Sequence, residues 1–361
     1  MAYVILLLGL GALVGGAEIL VRGASAVAVR TGLSPVVVGL TVVAFGTSTP
    51  ELAVSVGALR GDQAGLAIGN VVGSNIFNVL MVLGISAMIG GGLVVAQKIV
   101  RIDVPLMILA SIAVIAMSLD GVIGRPEGGI LFAAIVTYTV WTVRTSRADN
   151  AEIVAEYDEA FGQPPRTSVL VDVASIVGGI VLLVVGSQWM VNAASDIAES
   201  FGVSDLVIGL TVVAVGTSAP ELATSVVAAL RGERDIAVGN VVGSNLFNLL
   251  AVLGVAAIVA PGGVPISDDA LRLDLPIMLV VAVACLPVFF SGFELKRWEG
   301  TLFVAYYVAY VTFLILDQTG SGLRDPFAVV MIGFVLPLTT LTLIVVGVRA
   351  FRASRSDPAA T

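Results

Sequence analysis

Apolar residues run along this chain in long blocks, separated by short breaks rich in charge or turn residues. Eleven blocks can be delimited, at 2–29, 34–59, 64–89, 102–119, 128–144, 168–195, 204–230, 236–260, 271–291, 300–316 and 326–348. Many reach the roughly 20 residues that a helix needs to cross a hydrocarbon core. The first block is too long for the apolar region of a signal peptide and carries Glu18 and Arg22 inside it, so it reads as a first spanning helix. Those two charges stand four residues apart, the spacing at which a helix brings an acid and a base together, and they are expected to form a structural pair.

An internal repeat organises the blocks. Residues 39–58 read GLTVVAFGTSTPELAVSVGA and residues 209–228 read GLTVVAVGTSAPELATSVVA, with 16 of 20 positions identical. Residues 67–84 read AIGNVVGSNIFNVLMVLG and residues 237–254 read AVGNVVGSNLFNLLAVLG, with 14 of 18 identical at the same offset of 170. The loop between the two motifs differs by a compensated one-residue shift. Each unit holds five spans, an odd number, so the second copy enters the membrane from the opposite side. Inverted repeats of this kind place a binding site at their interface near the midplane. The expected fold is an all-α membrane protein of two inverted five-helix repeats, a ten-helix core, with an eleventh C-terminal span. The expected divisions are 1–144 for the first repeat, 145–167 for a solvated cytoplasmic loop, 168–316 for the second repeat, and 317–361 for the extra span and tail.

Composition agrees with the pattern. Hydrophobic residues make up 58% of the chain and charged residues 12%, with mean hydropathy +1.05, whereas soluble domains carry about 25% charged residues. Positive charge orients the bundle. With the N-terminus outside, the inner breaks hold Arg30, Lys98, Arg101, Arg144, Arg147, Arg166, Arg231, Arg234, Lys296, Arg297, Arg349, Arg352 and Arg355, which is 13 of the 18 basic residues. The outer breaks hold Arg60, Arg125, Arg272 and Arg324. The expected location is the cell membrane, multi-pass, with a cytoplasmic C-terminus. Acidic residues such as Asp62, Asp120, Glu127, Asp268 and Asp317 gather on the outer side, where they would concentrate cations. A net charge of −8 argues against nucleic acid as a partner, and nothing in the sequence calls for an obligate protein partner. Histidine is absent, which removes the commonest ligand of zinc, copper and nickel and the usual proton shuttle. The single cysteine, Cys285, permits no internal disulfide. No cofactor is implied.

Both repeats break the rules for spanning helices at one place. Pro50 has no N–H for the carbonyl of Gly46, and Pro220 none for Gly216, so each helix can kink and leave backbone oxygens unpaired. Such oxygens are tolerated at membrane depth only where they face protein or a polar cavity. One residue after each proline stands an acid, Glu51 or Glu221. An intramembrane carboxylate costs several kcal/mol and ordinarily faces a partner or an ion path. No basic residue lies near either in sequence. If inverted symmetry brings the two together they repel, and a cation between them resolves the repulsion. Thr47 shares a helix face with Glu51, Thr217 with Glu221, and Ser74 with Asn78. The donors on offer are carboxylate, hydroxyl, amide and carbonyl oxygen, hard ligands suited to Ca²⁺. Thr47, Ser48, Ser74, Thr217, Ser218 and Ser244 could also divide the cluster into smaller Na⁺ positions, and Asn78 and Asn248 complete the candidate set. Competing occupancy of one site by either ion is what an antiporter requires.

These motifs resemble the α-repeats of the Ca²⁺/cation antiporter superfamily, the sodium–calcium exchangers and their relatives: GTSTPE with GNVVGSNIFN in one half, GTSAPE with GNVVGSNLFN in the other. The resemblance is most specific in spans two, three, seven and eight and collinear over the first ten. It implies Glu51 and Glu221 as Ca²⁺ ligands assisted by the backbone oxygens of Thr47 and Thr217. It also implies Na⁺ sites built from the carbonyls of Ala44 and Ala214 with Ser48, Ser74, Ser218 and Ser244. It further implies that the first and sixth helices slide against the rest. Two features depart from the family pattern. Asn248 stands where some archaeal members and the potassium-dependent exchangers have an acid, which argues against K⁺ co-transport, and the eleventh span is additional to the family core.

The expected function is secondary active exchange of Ca²⁺ for Na⁺ by alternating access, not enzymatic catalysis. The alternative within transport is H⁺/Ca²⁺ exchange, because glutamates at this depth could carry protons. An intramembrane protease fits poorly, since histidine is absent and the buried acids are Glu beside Pro. A passive channel fits the two-fold inverted repeat less well than a transporter does.

Overall fold

The computed structural model describes residues 1–60, 64–148, 168–200, 214–290 and 292–337. Among these, nine helices are long and apolar enough to span a membrane: α1 (Ala2–Thr31), α2 (Pro35–Arg60), α3 (Gly65–Gly90), α4 (Ile99–Met117), α5 (Arg125–Ser146), α6 (Val169–Ile197), α8 (Arg234–Val259), α9 (Ala270–Phe290) and α10 (Arg297–Gln318). A shorter apolar helix, α7 (Ala219–Leu230), precedes α8. It accounts for the second half of the span expected at 204–230, of which residues 201–213 lie outside the described residues. The expected eleventh span begins as a helix over Arg324–Val330 and continues through Met331–Val335, and its remainder from residue 338 lies outside the described residues, as does most of the expected loop 145–167.

Local chemistry sets the helix ends. α1 stops at Gly32, whose φ of 63° is a left-handed cap and whose N–H returns to the carbonyl of Ala28. α2 starts from Ser34, whose Oγ accepts from the Val37 N–H, with Pro35 in the first turn, where a missing N–H costs nothing.

Burial separates two layers. α8 and α3 are the innermost helices, with 83% and 72% of their apolar windows buried inside the protein, while α6 and α10 bury 22% each and turn most of their surface outward. Small residues allow the helices to approach. α1 and α6 run alongside each other through Gly9 against Gly186 and Gly16 against Gly179, where an added methyl would fall 2.8 and 2.9 Å from the opposing carbonyl oxygens. The inner helices meet the outer ones in the same way, Gly84 on Gly300 and Gly254 on Gly128.

The inverted symmetry extends to details the apolar pattern did not foretell. Two-residue ribbons join the repeats, Leu93–Val94 antiparallel to Glu294–Leu295 and Val122–Ile123 antiparallel to Val264–Pro265. Each therefore pairs one half of the chain with the other. The Tyr138 hydroxyl donates to Asp103 at 3.0 Å between α5 and α4, and Tyr310 donates to Asp274 at 3.2 Å between α10 and α9. π-helical turns also recur, at Asn78–Leu83 with Phe247–Val252 and at Ile99–Asp103 with Ala270–Asp274.

Candidate functional site

The site grows from two matched interruptions. In the second span a short helix, Ala44–Thr47, ends at Ser48 (φ −83°, ψ 5°), and a new helix begins at Thr49. In the seventh, Ala214–Thr217 ends at Ser218 (φ −94°, ψ 10°), and α7 begins at Ala219. Both serines lie in the sparsely populated bridge region, where functional residues often sit. The backbone ladder closes from Ser48 N–H to Ala44 O at 3.0 Å and resumes from Leu52 N–H to Ser48 O at 3.2 Å, as Leu222 N–H does to Ser218 O. Pro50 and Pro220 sit in the gap and have no proton to give.

Glu51 and Glu221 follow directly, and both are fully buried. Their contacts cross between the repeats. Ser218 Oγ donates to Glu51 Oε1 at 3.1 Å, and Ser48 Oγ donates to Glu221 Oε1 at 3.3 Å. Ser74 Oγ lies 3.0 Å from Ser218 Oγ, and Ser244 Oγ lies 3.5 Å from Glu221 Oε1. Thr47 Oγ1 stands between Ser244 Oγ at 3.4 Å and Asn240 Oδ1 at 3.2 Å, and it also lies 3.4 Å from the carbonyl of Ala44. Thr217 is buried beside Ser218. Of the expected hydroxyls, Ser48 and Ser218 thus bond the carboxylate of the opposite half, and Ser244 that of its own.

Electrostatically the centre is under-compensated. Glu51 Oε2 and Glu221 Oε2 have no hydrogen-bond partner among the described residues, and neither carboxylate belongs to an ion pair there. No third carboxylate, thiol or imidazole joins them among the described residues. Two buried acids hydrogen-bonded only by hydroxyls among the described residues are costly unless a mobile cation or protons neutralise them.

The asparagines divide by role. Asn78 donates to Asn245 Oδ1 at 3.2 Å, while its own Oδ1 and both side-chain atoms of the fully buried Asn248 have no partner among the described residues. Asn245 Nδ2 lies 3.5 Å from the carbonyl of Asn75 and 3.3 Å from Met107 Sδ. The most regular feature was not among the expected site residues. Asn70 Nδ2 reaches the carbonyl of Glu51 at 3.1 Å and Ser55 Oγ at 2.9 Å. Asn240 Nδ2 reaches the carbonyl of Glu221 at 3.4 Å and Ser225 Oγ at 2.9 Å. The signal was present in the doubled Gly-Asn dipeptide, but only the fold shows that it braces the turn carrying each acid. Ser187 of α6 was also missed: its hydroxyl donates to the carbonyl of Gly216, the very oxygen that Pro220 leaves without its helical donor.

A family model described as "Sodium/calcium exchanger protein" matches residues 1–144 and 171–316. The chain belongs to this family. Its members are transporters and not enzymes, so this protein is a multi-pass membrane cation/Ca²⁺ antiporter. Sodium/calcium exchanger MaX1 of Methanosarcina acetivorans is 32% identical over 345 residues, covering 86% of this chain and 98% of the relative. Inner membrane protein YrbG of Escherichia coli is 37% identical over 286 residues, covering 78% and 87%. Among solved structures, the sodium–calcium exchanger NCX_Mj soaked with 10 mM Na⁺ and 10 mM Sr²⁺ superimposes with a TM-score of 0.74 at 30% identity, covering 86% of this chain and 97% of that one.

Proposed function

We propose that this exchanger moves Ca²⁺ against Na⁺ across the cell membrane, and that Glu51 and Glu221 are the ligands both ions compete for. The observation that carries this reading is the pair of buried carboxylates, each held by a serine of the opposite repeat and each keeping one oxygen without a partner among the described residues. One Ca²⁺ between them restores neutrality and takes its remaining oxygens from neutral donors, in keeping with the six to eight oxygen ligands (about 2.3–2.6 Å away) that this ion prefers. Thr47, Thr217, Ser48, Ser218, Ser74 and Ser244, the carbonyls of Ala44 and Ala214, and the amides of Asn78 and Asn248 supply them. The same oxygens, taken in smaller groups, suit Na⁺. Hydroxyl donors outnumber carboxylates here, which favours sodium over protons as the counter-ion. We place the N-terminus outside, following the basic residues of the inner breaks. The repeats occupy 1–144 and 168–316, joined by the cytoplasmic segment 145–167 and followed by the additional span and tail, 317–361.

Reconstituted vesicles test the coupling. Ca²⁺ uptake driven by an outward Na⁺ gradient at equal pH on both sides is the expected result. Uptake that follows only an imposed pH gradient and ignores Na⁺ would overturn the sodium reading in favour of proton exchange.

A further inference from the structure

Inverted repeats present the same contacts twice, so a contact made once is informative. α1 lies along α7, whereas α6 makes no comparable contact with Thr49–Arg60 among the described residues. The α1–α7 contact carries an ion pair: the Arg231 guanidinium, one residue past the end of α7, grips Glu18 of α1, with Nε 2.7 Å from Oε2 and Nη2 on Oε1. Arg22, one turn along α1, donates to the same carboxylate at 2.7 Å.

Sequence forbids the equivalent on the other side. At the repeat offset of 170, Glu18 corresponds to Gln188 and Arg22 to Asn192. The basic half survives, because the Ala-Leu-Arg-Gly run at 58–61 recurs at 229–232 and aligns Arg60 with Arg231. What one side has and the other lacks is the acid. α1 is meanwhile tied to α6 by a second ion pair, Arg30 Nε to the buried Asp172 Oδ2 at 2.9 Å, and by the close glycine contacts along their length. α1 and α6 therefore form one body, held to the rest of the protein on one side by a charge pair.

We propose that Glu18 and Arg231 form a one-sided latch that holds α1 on α7 and favours the conformation closed on the side where α7 ends. The three-membered arrangement suits a latch better than a weld. When α1 leaves α7, Arg22 travels with Glu18 on the same helix and keeps the carboxylate paired, while Arg231 is partly exposed and can hydrate. Release strands no buried charge, so the pair biases the equilibrium without freezing it. The inference rests on the alternating-access reading above and extends it by naming a residue pair that weights the two states.

Hydrogen exchange on the purified full-length protein tests the latch without any ion flux, so its outcome is separate from that of the vesicle experiment. Glu18→Gln and Arg231→Gln should each raise deuterium uptake in Ala219–Leu230 by roughly two- to fivefold, the range expected of a partly exposed ion pair. Their combination should raise it no further, and the swapped pair Glu18→Arg with Arg231→Glu should restore slow exchange. Gln188→Glu supplies the acid that the repeat correspondence pairs with Arg60 and should slow exchange across Thr49–Arg60. Unchanged uptake in both single variants, additive effects in the double variant, or a swapped pair as fast as the singles would overturn the latch. Unchanged exchange across Thr49–Arg60 in Gln188→Glu would overturn the claim that one acid sets the asymmetry. A rise that extends equally to the innermost helix α8 would show general loosening and also count against it.

Discussion

In the first repeat Asn70 braces the carbonyl of Glu51 and the hydroxyl of Ser55; in the second Asn240 braces the carbonyl of Glu221 and the hydroxyl of Ser225. Around the carboxylates the two halves are nearly interchangeable. Farther out they diverge. Asn240 is fully buried where Asn70 is half-buried. Ser187 takes up the Gly216 carbonyl, while the matching position on α1 is Ala17, which has no hydroxyl for Gly46. Glu18 binds Arg231, while its match is Gln188. The site keeps its symmetry and the helices that cover it carry the differences, which is where the latch proposed above lies.

Matched pairs of substitutions turn this contrast into measurements. The largest effect belongs to the centre: Glu51→Gln and Glu221→Gln should each abolish Ca²⁺ transport in vesicles while the protein still purifies as a folded species. Transport surviving in one of them would break the equivalence of the repeats. Next come the close helix contacts, Gly84 on Gly300 and Gly254 on Gly128. Gly84→Val and Gly254→Val should destabilise the protein by similar amounts, about 2–3 kcal/mol each, because a backbone carbonyl that cannot yield opposes each, that of Gly300 and that of Gly128. Thermal unfolding in detergent measures it, and a strongly unequal pair would mean that the two halves are packed differently.

How much of this was legible in sequence follows from the length of each signal. Spans of some twenty apolar residues announce themselves, and a 170-residue offset carried by Gly, Pro, Ser and Glu identifies the inverted repeat and its paired acids. The cross-repeat bonds of Ser48 to Glu221 and Ser218 to Glu51 could not be read there, since each joins residues more than 160 positions apart. The two-residue ribbons are too short to leave a period, and Ser187 is one hydroxyl in an apolar helix. Glu18 and Arg22 were legible as a pair from their spacing; the third member, Arg231, was not, because only the fold brings α7 beside α1.

Smaller effects sharpen the contrast farther from the carboxylates. Asn240→Ala should weaken Ca²⁺ binding by on the order of tenfold, about 1.4 kcal/mol, and Asn70→Ala by less, because the brace of Asn240 is fully buried and that of Asn70 is half-buried. Equal losses in a calorimetric titration would show that burial of the brace makes no difference. Ser187→Ala should have the mildest consequence, a loss of about 1 kcal/mol in unfolding free energy, as expected for one buried hydroxyl. A larger loss would indicate that the Gly216 carbonyl has no other donor to turn to.

The central claim is that one cation is held jointly by the carboxylates of the two repeats. Titration of the purified protein with Ca²⁺ in Na⁺-free buffer tests it most directly, comparing the unaltered chain with Glu51→Gln and Glu221→Gln. The account predicts one Ca²⁺ per chain, displaced by added Na⁺, and its loss in either variant. A full equivalent of Ca²⁺ bound with unchanged affinity after removal of either acid would contradict it.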